Sequence, residues 1–147
     1  MSNNTSILMG VMVLAGFGIP IMAASNGALG ARIGVVGAAA FLFFSAFVLT
    51  IVYGVMTSQF GSTGRALPPP QYLIGGVLIV FYLLSITTIG PKIGIGNAVM
   101  LVLLGQVISA VLIDHFGLFS MPKIDVNISR ISGVLIMMLG IWSAMRK

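Results

Sequence analysis

The sequence predicts an all-α, polytopic membrane protein of five transmembrane helices. Of its 147 residues, 59% are hydrophobic and only 6% are charged. Soluble domains carry about 25% charged residues, so no polar face is left here to wet a globule. The mean hydropathy is +1.17. The apolar residues also gather in five continuous runs. A β-barrel would show alternation instead.

Each run is long enough to cross a hydrocarbon core of about 30 Å at about 1.5 Å per residue. They cover residues 6–24, 35–56, 72–89, 93–113 and 131–145, and none has a charge in its interior. No domain boundary and no short repeat is visible, so residues 1–147 read as one transmembrane domain. The first run lacks a basic flank and a small-x-small cleavage site, so it reads as a retained helix. It contains Pro20, whose ring removes a backbone hydrogen bond and crowds the Gly16 carbonyl. Such a weak point is either an ordinary kink or a broken helix that shows backbone dipoles to a solute. Asn26, Gly27, Gly30, Arg32 and Gly34 then read as a polar, glycine-rich turn. In it Asn26 either shapes the turn or hydrogen-bonds a solute.

Residues 57–71 form the main loop, with Gln59, Arg65 and Pro68-Pro69-Pro70. Three prolines cannot continue a helix. Gly90-Pro91-Lys92 reads as a tight turn that makes a hairpin of the third and fourth helices. The fourth run is the most polar. Ala98, Gly105 and Ser109 share a face, and small residues on one face admit a second backbone. Gln106 lies beside them. An amide in hydrocarbon needs a partner, which is a neighbouring helix or a solute in a cavity. Asp114 and His115 close this helix. They either titrate during transport or sit at head-group level with Gly117 as the helix cap. Residues 114–130 form the last loop. The 19 glycines are well above the usual share and suit close helix packing.

The chain has no cysteine and no glutamate, one histidine, and two aspartates, Asp114 and Asp125. That is too little for an acid–base set or a metal cluster, so neither an enzyme nor a cofactor or metal is expected. The +5 charge is spread singly at helix ends without a patch. It suits lipid head groups and not nucleic acid.

Gly16, Pro20 and Asn26-x-x-Leu29-Gly30 resemble the first helix and turn of the five-helix YdcZ-type (DUF606) branch of the drug/metabolite transporter superfamily. Gly75-Gly76, Gly90-x-x-Ile93-Gly94, Gly105-Gln106-x-x-Ser109, Ile113-Asp114-His115-Phe116-Gly117 and Arg130, Gly133 and Gly140 extend the resemblance over nearly the whole chain. Where that family often has glutamine two residues after the proline, this chain has Met22. The resemblance implies an inner (plasma) membrane subunit that transports a small organic solute. It also implies that this chain is one half of an inverted-repeat transporter. Its partner is a second copy as an antiparallel homodimer, or a homologous five-helix chain. A non-transporting accessory subunit is the rival reading. Gly16, Pro20, Asn26, Gln106 and Ser109 are the cavity candidates, and Asp114 and His115 the candidates for proton linkage. With no acid in mid-membrane, exchange built on a central carboxylate is disfavoured.

Five spans put the termini on opposite sides. Arg65, Lys123 and Arg130 share one side, and Arg32, Lys92, Arg146 and Lys147 the other. Lys/Arg asymmetry sets orientation, and three against four is almost none. The sequence therefore predicts insertion both ways.

Overall fold

The structure is a computed structural model that describes residues 3–58 and 70–146. Its long elements are α1 (Asn3–Ile33), α2 (Val35–Thr57), α3 (Ile74–Ile93), α4 (Ile95–Phe116) and α5 (Ile128–Met145). No strand occurs among the described residues. All five helices are long and apolar enough to span a membrane. Large apolar side chains such as Leu14, Phe44 and Phe81 face outward, as lipid or a partner requires and water does not allow. Most of the main loop, with Gln59, Arg65, Pro68 and Pro69, lies outside the described residues.

Helix α4 is shifted to Ile95–Phe116 and α5 begins at Ile128, which takes Arg130 out of the expected 114–130 loop, and two boundaries differ more. Helix α1 does not stop at Ala24 but runs on through Asn26, Gly27 and Gly30 to Ile33. Helix α3 likewise runs through Gly90, Pro91 and Lys92 to Ile93. In the α1 stretch two of the glycines are close-contact sites. A Cβ on Gly30 would stand 3.0 Å from Thr87 Cγ2, and one on Gly27 would stand 3.3 Å from Pro91 Cγ. These glycines let α1 approach α3, a use that membrane bundles make of small residues.

The helices break instead at one glycine each. Gly34 has φ 83°, ψ 153°, and Gly94 has φ 89°, ψ 135°, a region that L side chains rarely adopt. Each carbonyl still accepts the first bond of the next helix, from Ala38 N and Ala98 N, both at 3.0 Å. The surrounding residues match at a spacing of sixty: Gly30-Ala31-Arg32-Ile33-Gly34-Val35 with Ala38, and Gly90-Pro91-Lys92-Ile93-Gly94-Ile95 with Ala98. The chain therefore does hold a repeat. It escapes a search for short repeats because only glycine, a basic residue, isoleucine and alanine are shared.

The chain packs as two compact units, Met1–Lys92 and Ile93–Lys147. In the first, α1 and α2 lie side by side with Ala23, Ala38 and Ala39 buried. In the second, α4 packs on α5 through Ile108, Leu112, Ile131 and Leu135. Polar side chains on these helices mostly bond their own backbone. Thr50 Oγ1 donates to Ala46 O, Thr88 Oγ1 to Leu84 O, and Ser132 Oγ to Ser129 O. This satisfies their donors without water.

Candidate functional site

In the first unit the polar centre is Asn26. Its side chain is buried, and Nδ2 donates a 2.6 Å hydrogen bond to Thr87 Oγ1. An amide buried in an apolar bundle is costly unless it is bonded, and Thr87 supplies that bond from α3. Asn26 also lines a pocket of about 210 Å³ between α1 and α2, with Met22, Ser25, Phe41, Ser45 and two leucines. No lining residue is charged. At about 1.5 Å per residue, the pocket lies roughly 10–15 Å along the helices from the Gly34 break.

Gly16 and Pro20 do not line this pocket. Pro20 is half-buried inside α1, and Gly16 faces open space with nothing within 4 Å of a Cβ. Six residues separate Pro20 from Asn26, which puts them on different sides of the helix. The resemblance drew attention to Met22, and the structure places it in the pocket wall. Thr87 and Ser45 were missed by sequence reasoning. Thr87 leaves one trace, as half of a Thr87-Thr88 pair in an otherwise apolar run. Ser45 is a single hydroxyl among phenylalanines and leaves none.

In the second unit Gln106 and Ser109 are both exposed on α4. Ser109 Oγ donates to Gln106 O at 3.0 Å, so its proton is already placed. The Gln106 amide forms no hydrogen bond with the described residues of its own unit. A Cβ on Gly105 would meet nothing within 4 Å, so this stretch of α4 is open to an approaching partner.

Asp114 and His115 are engaged in the α4–α5 connection. Asp114 Oδ2 lies 3.1 Å from Arg130 Nη1, both side chains half-buried. That nitrogen makes no aligned hydrogen bond, so the pair is held by charge more than by direction. Asp114 O accepts from Ile124 N at 2.9 Å. His115 Nδ1 accepts from Val126 N at 3.4 Å, and Asp125 Oδ1 lies 3.8 Å from that nitrogen and 3.7 Å from Lys123 Nζ. Asn127 caps α5, its Oδ1 accepting from Arg130 N at 2.8 Å. Arg130 is thus in the first turn of α5, at the loop end of the helix.

Gly117 ends α4 with φ 60°, ψ 36°, the left-handed cap expected of it. An alanine Cβ there would touch Met121 O at 3.5 Å without a clash, so the cost is backbone strain alone. Gly117→Ala is expected to destabilise the second unit by about 1 kcal/mol. A lower thermal midpoint of the purified protein checks it, and an unchanged midpoint would show that the cap is dispensable.

The comparison with known families decides the identity. The model of the family described as "Putative inner membrane exporter, YdcZ" matches residues 7–143. The chain belongs to the YdcZ family. The match runs from the first turns of α1 almost to the end of α5 and so covers both compact units. Neither a curated protein nor a solved structure matches it. As a YdcZ-family chain it is a multi-pass inner-membrane protein of an exporter class, and that class is not one of enzymes. Among the described residues no group of three or more His, Asp or Glu could hold a metal.

Proposed function

We propose that the chain is a secondary transporter subunit that carries a small organic solute across the inner membrane as an inverted pair of identical copies. The observation that carries this reading is Gln106. Its amide stands exposed on a membrane helix with no hydrogen bond to the described residues of its own unit. In hydrocarbon such a group costs several kcal/mol, so it calls for a partner that its own unit does not provide. A second copy or a passing solute provides it. The family match supports export, and the near balance of basic residues supports insertion in both directions. Inverted halves are how many secondary transporters build a two-faced cavity.

The test is release from proteoliposomes loaded with a mixture of small organic solutes, with the retained interior read by mass spectrometry. At least one solute is expected to leave faster than from protein-free vesicles. Gln106→Leu should reconstitute at similar yield and abolish or redirect that release. If no solute leaves faster with the protein present, the transport reading is wrong. If Gln106→Leu releases solute like the unaltered protein, Gln106 has no part in it.

A further inference from the structure

The sixty-residue repeat allows the pocket of the first unit to be weighed against a built-in control. Burial follows the repeat closely. Ala23 is 0% exposed and Leu83 2%, Asn26 3% and Ile86 3%, and Ala38 0% and Ala98 6%. The same scaffold position therefore holds a buried asparagine in one copy and a buried isoleucine in the other. Ser45, likewise, corresponds to Gly105. The helix break at Gly94 forms with isoleucine at the matching position, so the break at Gly34 does not need an asparagine. The break therefore does not explain the polarity of Asn26: its amide nitrogen ties α1 to α3 through Thr87, and its oxygen is left over.

The hydrogen bonds show what these groups present. Asn26 Nδ2 is committed to Thr87 Oγ1, which fixes the plane of the amide. Its Oδ1 has no partner among the described residues of its unit. Ser45 Oγ donates its proton to Leu42 O at 2.8 Å, so it offers only lone pairs to anything else. Asn26 and Ser45 thus bring two acceptors, and Ser25 a hydroxyl, to a pocket whose other lining residues are Met22, Phe41 and two leucines. No carboxylate is there to compensate a cation, and an unpaired charge in such surroundings is expensive. The volume of about 210 Å³ exceeds the roughly 150 Å³ in which an apolar cavity holds a benzene ring.

We propose that the α1–α2 pocket binds a small neutral solute with an apolar, ring-sized body and a hydroxyl or amide N–H that donates to Asn26 Oδ1. This deepens the transport reading by naming the solute class, and it rests on that reading for what the binding serves. Thr87 acts as a positioning residue that holds the amide.

The experiment uses the purified full-length chain with methyl-labelled methionine, the Met22 signal being identified by its loss in Met22→Leu. Phenol, toluene and benzylammonium are titrated separately in the same detergent. Phenol should shift Met22 saturably at a concentration about tenfold lower than toluene, the factor expected from one hydrogen bond. Benzylammonium should give no saturable shift. Asn26→Ile installs the residue that the matching position already carries, so it should keep a dispersed methyl spectrum and lose the preference for phenol. Thr87→Val, which frees the amide, should weaken that preference with phenol still bound. Equal binding of phenol and toluene by the unaltered protein would overturn the proposal, as would a phenol preference that survives in Asn26→Ile. Should Asn26→Ile fail to fold, a phenol preference left undiminished in Thr87→Val would overturn it as well. The proteoliposome result is independent. Solute release without a Met22 response removes this site and leaves transport standing. An Asn26-dependent Met22 response without release keeps the site and removes transport.

Discussion

Gly34→Ala and Gly94→Ala are each expected to lower the yield of folded, monodisperse protein sharply and to lower its thermal midpoint. Both glycines hold φ above 80° with an extended ψ, a conformation that costs an L residue about 1–3 kcal/mol. Space is not the obstacle. A Cβ on Gly34 would meet nothing within 4 Å, and one on Gly94 only Asn97 Nδ2 at 3.9 Å. The strain therefore stays in the backbone, where no neighbouring side chain can relieve it. The chain can escape only by moving the break, which would turn the following helix and expose Ala38 or Ala98. Gly10→Ala is the matched control. It lies in α1 with an ordinary backbone and open space around it, and alanine there should be neutral or slightly stabilising. If Gly34→Ala and Gly10→Ala melt alike, the single-glycine break is not what sets the helix boundary.

Biasing the orientation of the chain should abolish transport, and mixing two opposite biases should restore it. The basic count stands at three against four across the membrane. Four lysines added to the 57–71 loop make it about seven against four, and two appended after Lys147 make it about three against six, enough to favour opposite orientations. With a pair of C-terminal reporters, each active on one side only, the unaltered chain should give comparable signals from both. Each biased variant should give one signal and little solute release. Co-expression of the two should recover release, because one copy then faces each way. A single orientation in the unaltered chain would assign the second half to a different protein or to a parallel pair.

The candidate sites were legible to different degrees, for physical reasons. Gln106 and Asp114–His115 stood out because polar groups are rare in such a chain, and rarity is visible without coordinates. Asn26 was visible for the same reason, but its setting was not. Beside three glycines it looked like part of a turn, and only the Thr87 bond from α3 explains how an amide stays inside a helix. Ser45 and Thr87 carry the same local pattern as Thr50 and Thr88, hydroxyls that bond their own helix. Which hydroxyls line the pocket or meet another helix is a matter of packing, and no single-helix pattern encodes it.

The sequence alone was enough to place this chain in a membrane with five helices long enough to span it, and to show that it has no cysteine, no glutamate and a single histidine. Those properties follow from sums over many residues, such as the share of charge, the length of apolar runs and the residue types that are missing. The packed structure was needed to show where α1 and α3 end, that Gly34 and Gly94 are matching breaks, and that Asn26 is bonded to Thr87. Each of these depends on a contact of about 3 Å between residues far apart in the chain, or on the sign of one backbone angle. A glycine is the same letter whether it breaks a helix or lets another one approach.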